Sequence, residues 1–535
     1  MSWSHSRAEG RIRKFASDAP EVKVERYEDD FVRRITESRI IAKAEGRGIG
    51  DNPPLYDLPD GTAVVTETVQ VYVRPVNFNE VRVAGGVSSE QGDARALSLL
   101  HLLYAAGDRV VEDAGAQRVD FHGPRMHGVV IEPRGEASLQ ERIATGLRLA
   151  EQMIELSRSA EARFFADLGL DIRFRVGIDA GPCVAINSGR SDEREPMFIG
   201  PAANHAAKLA MGDEPGIFLS DRIRAAFGLR RAGTLSEERV LKTQSDELER
   251  IAAFNGIIEG QTASMKFERW QEDVIAKRSS ILRPDAFAFH QHTPPLRSLD
   301  YASLSPSRSV RMPMAAIFAD LDNYTRYIDS CMANGSIGEA VRLLHVLRSE
   351  FNAVVQSDFG GRKVRFIGDC ILGVLAEGSA HEIDLEQTVR RAVSCAGALR
   401  SSFELCGSIL PDAGKLGLAI GLETGTTPIS RIGIRGERAV RVATSVAVRD
   451  SERCQRSCDG RQTMIGEHAH RDGGAAVRSL FNSARKASDL CYPDVSMQLD
   501  PKKTAASVAA GARGPGLVLG TGAALGSTPA RAYGD

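Results

Sequence analysis

Two stretches of the chain, whose landmark residues Arg74 and Asp320 stand 246 positions apart, hold the residue types best able to do chemistry. The later stretch reads Ile317-Phe318-Ala319-Asp320-Leu321-Asp322-Asn323-Tyr324-Thr325, followed by Arg365-Phe366-Ile367-Gly368-Asp369. The earlier one reads Val71-Tyr72-Val73-Arg74-Pro75-Val76-Asn77-Phe78-Asn79, followed by Asp120-Phe121-His122-Gly123-Pro124. Asp369 lies 49 residues after Asp320, and Pro124 lies 50 after Arg74. A strand ending in Asp, beside a second strand turning at Asp, sets two carboxylates next to each other. Such oxygen pairs hold hard divalent ions against phosphates. Arg74 and Pro124 cannot do this. Two editions of one fold are expected, with the acidic device kept only in the second.

The elements that must place these groups also repeat. A strand rich in Val and Thr over Ala63–Val73 opens the first copy. Helical spacing of apolar residues follows over Ala94–Glu112 and Leu139–Phe165, separated by strand and turn at Gln117–Glu132. Ile172–Ile178 and Cys183–Ile186 predict a hairpin about Ala180-Gly181-Pro182. The second copy predicts strand Pro313–Ala319, helix Ile337–Val355, hairpin strands within Lys363–Val374, helix Leu385–Leu405 and strand Gly417–Glu423. Helices alternating with strands predict an α/β or α+β domain with one central sheet in each copy. The organisation expected is an N-terminal arm over 1–60, a first domain over 61–230, and a helical and Pro/Ser-rich linker over 231–311. A second domain then covers 312–470, and an extension over 471–535 ends in a disordered Ala/Gly/Ser-rich tail.

These residues resemble the class III nucleotidyl cyclases, the adenylate and guanylate cyclase family. Phe-Ala-Asp-Leu-Asp-Asn-Tyr-Thr is similar to that family's first metal-binding motif and Phe-Ile-Gly-Asp to its second. In the first copy, Arg175-Val176-Gly177-Ile178-Asp179-Ala180-Gly181-Pro182 and Gly200-Pro201-Ala202-Ala203-Asn204-His205-Ala206-Ala207-Lys208-Leu209 resemble its Gly-Ile-x-x-Gly segment and its Asn-bearing helix. The resemblance covers about residues 65–225 and 312–465. It implies an α+β, ferredoxin-like fold and an intramolecular pseudo-heterodimer with one working site. Asp320, Asp369 and the Leu321 carbonyl would hold two Mn2+ or Mg2+ ions, and the turn through Tyr324 and Thr325 would meet the phosphates. Asn204 would orient the ribose and Lys208 stabilise the reacting phosphate. The family usually has Arg at the latter place, whose fork Lys lacks. Arg435 and Arg438 are candidates for the outer phosphates. A loose alignment sets Arg441 and Ser445 of the second copy against Asn204 and Lys208.

For the base, the family's adenine-reading pair is missing from both copies: Asp120 and Met197 stand there in the first and Arg365 in the second. Asp120 could accept N–H groups from guanine or N3–H from uracil, and Arg365 could donate to uracil carbonyls. Head-to-tail pairing is expected to set Arg365 by the defunct site. The chain also resembles the pyrimidine cyclases of bacterial Pycsar antiphage systems, which favours UTP as substrate, cyclic UMP as product and a separate effector that senses it. Cyclic GMP or cyclic AMP stay open, as does a catalytically dead scaffold. A diguanylate cyclase lacks its Gly-Gly-acidic-Glu-Phe signature.

Bulk composition agrees with a small-molecule enzyme. Lys and Arg number 68 against 70 Asp and Glu, for a net charge of −2, so neither nucleic acid nor an anionic membrane is the expected partner. No apolar run long enough to span a bilayer occurs and Met1–Arg7 lacks a signal peptide's apolar stretch, so a cytoplasmic location is expected for a monomer with an internal pseudo-dimer or a homodimer. Eight cysteines without a disulfide rhythm fit a reducing compartment. Cys454 with Cys458, and His290 with His292, each lack the further ligands a zinc site needs.

Overall fold

The computed structural model describes residues 2–45, 55, 58–59, 61–86, 89–164, 171–188, 195–233, 242–253, 268–269, 286–433 and 439–499. In chain order its first sheet contains β1 (Lys23–Arg26), β2 (Thr62–Pro75), β3 (Gln117–His122), β4 (Arg125–Val130), β5 (Phe174–Ser188), β6 (Glu195–Ile199) and β7 (Gly216–Leu219). The second contains β8 (Phe289–His290), β9 (Ser309–Asp322), β10 (Arg362–Ile367), β11 (Cys370–Leu375), β12 (Gly417–Ile432), β13 (Val440–Ala443), β14 (Gln462–Ile465) and β15 (Lys486–Ser488). The spatial order β3-β4-β2-β5-β6, with β7 also on β5, is repeated as β10-β11-β9-β12 with β13 and β14 on β12. The duplication is therefore a property of topology as well as of sequence.

Register makes the two copies superimpose residue by residue. Tyr72 pairs with Gly177 in the first sheet, and Phe318 with Gly421 in the second. Both glycines lie beneath a helix that crosses the sheet. A Cβ on Gly177 would meet the Ala206 carbonyl at 2.1 Å, and one on Gly421 would meet the Ser451 carbonyl at 2.2 Å. No other residue allows so close a backbone approach. This contact aligns helix Pro201–Leu209 with helix Val446–Arg456, so Arg449 and Arg453 stand at the places of Asn204 and Lys208. The alignment through Arg441 and Ser445 is thus corrected: Arg441 belongs to β13 and Ser445 caps the helix.

The hairpin expected at Ala180–Pro182 is absent. β5 runs unbroken, with Gly181 opposite Thr68 and Pro182 opposite Glu67. The long apolar face of β2 pairs along its whole length, and Gly181, at φ +149°, keeps the register there without a break.

The flanking segments belong to the domains. Helix His5–Asp18 lies on the second domain, where the Trp3 indole donates to Ser402 Oγ at 2.8 Å and Arg11 pairs with Glu350 and Asp358 at 2.6 and 2.9 Å. The chain then crosses to the first domain, where β1 joins β2. The arm is a strap over both halves. Because Glu350 is buried and Arg11 is its ionic partner, while Asp358 keeps Arg7 at 3.1 Å, Arg11→Met should leave one buried carboxylate without an ion pair and lower unfolding free energy by about 3 kcal/mol, read by denaturant titration. In the stretch 231–311, helix Ser245–Ala253 packs on the first domain, while β8, Leu296, Leu299 and Leu304 complete the second. Beyond residue 470, β15 extends the second sheet and helix Tyr492–Leu499 seats Val495 against helix Leu385–Ile409. The expected tail beyond residue 500 lies outside the described residues.

The two domains exchange their edges. Val184, Ile186, Met197 and Ile199 of the first enter the core of the second, and Ile432, Val440 and Val442 of the second enter the core of the first. That reciprocity is a head-to-tail pseudo-twofold pairing.

Candidate active site

A cavity of about 350 Å³ opens at this seam. Asp369, Tyr324, Arg348 and Arg365 of the second domain share its wall with Asn204, Met197 and Asp120 of the first. Asp320 sits at the end of β9, where its Oδ2 accepts from Gln455 Nε2 at 3.2 Å. Neither Asp320 nor Asp369 forms an ion pair among the described residues. Burial pushes the Asp320 carboxyl up to about 7. Asp369, half-buried and repelled by Asp320, is raised well above the ordinary carboxylate range by desolvation and that repulsion. Two adjacent half-buried acids that resist ionising together are the chemistry a divalent cation suits. Asp322, by contrast, is used locally, accepting from the backbone N–H groups of Asn323 and Gly460 at 2.9 and 3.1 Å.

The donor set fits a divalent metal held by few protein ligands, with substrate oxygens completing its shell. No cluster of three or more His, Cys, Asp or Glu side chains suited to a metal occurs among the described residues. The Leu321 N–H faces Asp369, so the backbone of that residue does belong to the acidic corner.

Past Asp322, Asn323 adopts φ +65° and opens helix Tyr324–Asn334. Its tight entry aims the helix start at the seam. Thr325 Oγ1 there accepts from Asn204 Nδ2 at 2.9 Å, across the domain boundary. Tyr324 lines the cavity, and its hydroxyl, itself buried, has no hydrogen-bond partner among the described residues.

Asp120 and Arg365 occupy equivalent register positions, opposite His127 and Leu372. They meet: Arg365 donates one guanidinium N–H to Asp120 Oδ1 and another to the Phe121 carbonyl. The expectation that Arg365 stands apart by the defunct site is overturned, because residues related by a pseudo-twofold axis come together where they lie close to it. Lys208 is exposed and off the cavity wall, with its charge acting on Asp329 of the second domain. Arg435 and Arg438 lie outside the described residues.

Charge pairs fill the seam beside Arg74, and one of them, Arg125, also reaches the cavity wall. Arg82 bonds Asp93 and donates to Thr444 Oγ1 at 2.8 Å, and Arg311 Nε reaches Asp93 at 2.9 Å. Arg125 and Arg456 converge on Glu452. Burial opposes ionisation of that carboxyl, but the two guanidiniums hold it down to about 2. With Arg74 in the place of Asp320, no dication can enter there.

Arg348 and Arg362 of the cavity wall escaped sequence reasoning, and Arg441, also on the wall, entered it only through the misplaced alignment. Only Arg348 left a signal: it stands in the apolar stripe of Leu344, Leu347 and Phe351, where a charge is out of place.

No family model matches the chain. It is 43% identical over 497 residues to a uridylate cyclase from a Rhizobium species, covering 90% of this chain and 92% of that one. A uridylate cyclase of Pseudomonas aeruginosa is 34% identical over 509 residues, covering 93% and 91%. Among solved structures, a class III adenylyl cyclase-like ATP-binding protein from Pseudomonas aeruginosa matches with a TM-score of 0.81 at 33% identity, over 93% of this chain and 100% of that one. The chain belongs to the class III nucleotidyl cyclases. It is an enzyme of that family, built as two cyclase domains in one polypeptide. No helix among the described residues is long and apolar enough to cross a membrane.

Proposed function

We propose that the protein converts UTP to 3′,5′-cyclic UMP and pyrophosphate, using divalent ions held by Asp320, Asp369 and the Leu321 backbone. The observation that carries this reading is the Arg365–Asp120 pair in one cavity with Asp369 and Asn204. Uracil presents carbonyl, N3–H and carbonyl in sequence along one edge. A carboxylate can accept the N3–H while a guanidinium donates to the neighbouring carbonyl. Adenine has no carbonyl to offer. The uridylate cyclase relatives, alike over nearly the whole chain, support the same base.

Cyclisation requires the 3′-hydroxyl to attack the α-phosphorus in line with departing pyrophosphate. The bound metal supplies charge neutralisation and an acidified hydroxyl. Asn204, steadied by Thr325, orients the ribose, Tyr324 offers its hydroxyl to a ligand oxygen, and Lys208 reaches the α-phosphate after leaving Asp329. Cyclic UMP would serve as a second messenger in antiphage defence, read by a separate effector, as the resemblance to the pyrimidine cyclases implies. Incubating the protein with Mn2+ and each of the four nucleoside triphosphates, with products identified by mass spectrometry, should yield cyclic UMP in largest amount. Absence of any cyclic product would sink the reading.

A further inference from the structure

We infer that Arg348 binds the triphosphate of the nucleotide, an assignment that rests on the cyclase reading above. The case comes from comparing the two halves of the chain. On helix Ile337–Ala353, Arg348 donates to the Gly368 carbonyl and lies 4.4 Å from the centroid of the Phe366 ring. In the first domain, Tyr104 donates to the Gly123 carbonyl at 2.6 Å and lies 5.3 Å from the ring of Phe121. Gly123 and Gly368 are equivalent turn residues, as are Phe121 and Phe366. Both helices therefore carry a side chain that clamps the same turn from behind.

The twin does this with a neutral phenol, so a charge is not needed to hold the turn. A guanidinium in the interior is costly unless it has ionic work to do. What Arg348 has and Tyr104 lacks is an acidic pair beside it and a place on the cavity wall. One member of that pair, Asp369, directly follows the clamped glycine, so the cation faces the corner where metal and phosphates would gather. A planar fork of N–H donors suits phosphate oxygens. Only the half of the duplicated fold that meets a polyanion has exchanged Tyr for Arg.

The test separates clamp from charge. Arg348→Tyr installs the twin's residue, and Arg348→Gln keeps a donor for Gly368 should the tyrosine variant fail to fold. Binding to the full-length protein is measured by calorimetry for Mn2+ alone, for uridine, and for 3′-deoxyuridine triphosphate with Mn2+. That analogue lacks the attacking hydroxyl and cannot turn over. The expected result is unchanged thermal stability, Mn2+ affinity equal or higher, uridine affinity unchanged, and triphosphate affinity lower by about tenfold or more. Unchanged triphosphate affinity in a folded variant overturns the assignment, and so does an equal loss for uridine, which places the contact on the base. Failure of the wild-type protein itself to bind the analogue, or to make cyclic product, removes the cyclase reading instead.

Discussion

Asp369→Asn should reduce cyclic nucleotide formation by about a thousandfold or more while leaving the melting temperature equal or higher. A metal that neutralises a leaving pyrophosphate contributes several kcal/mol to the barrier, and each 1.36 kcal/mol is about a factor of ten. The amide keeps the shape of the turn after Gly368 but removes one of two half-buried, mutually repelling carboxyls. The sign of the stability change follows from that repulsion. A carboxyl whose pKa is raised by folding contributes most stability at low pH and loses it as pH climbs through the folded value. For Asp320 that window lies between the ordinary carboxylate range and about 7. The metal-free protein should therefore weaken as pH rises towards 7, and Asp369→Asn should flatten the trend. Mn2+ added to wild-type protein near pH 7 should release protons, and less of that release should remain in the variant. Full turnover in Asp369→Asn would remove the metal assignment outright.

Asp120→Asn should shift base preference from UTP towards CTP by about 10- to 100-fold in the ratio of kcat/KM values. Uracil presents N3–H as a donor, which a carboxylate accepts. Cytosine presents N3 as an acceptor, to which a carboxylate offers nothing. The asparagine amide can donate there. It also frees Arg365 from its ionic partner, so some loss of absolute rate is expected with both substrates, and the ratio is the informative quantity. Parallel kinetics with UTP and CTP check it, and an unchanged ratio would place base reading elsewhere in the cavity.

Much of this architecture was legible because duplication doubles the signal. The strand-Asp-turn-Asp spacing and its damaged twin point to paired sheets from residue order. The Gly177 and Gly421 positions then proved to be where helices cross. The misread hairpin at Ala180–Pro182 has a plain cause: Gly and Pro mark turns in isolated sequence, but a strand with a long partner such as β2 can absorb them. The misplacement of Arg365 has another. Spacing within one copy says nothing of how close a residue lies to the axis relating the two copies. Arg348 was overlooked because its helix is amphipathic and conventional in every other position.

Residue order alone determined that two like domains exist and that one carries the acids and the other the Asn-bearing helix, and the resemblance to the cyclases implied that adenine's reading pair is gone. These are local facts, written in motifs a few residues long. Tertiary structure alone decided that Asp120 and Arg365 join, that Arg348 stands behind Asp369, that the arm straps both halves, and that charge pairs fill the seam beside Arg74. Each depends on contacts between segments hundreds of residues apart, whose geometry is set by sheet register and by packing across the pseudo-twofold axis.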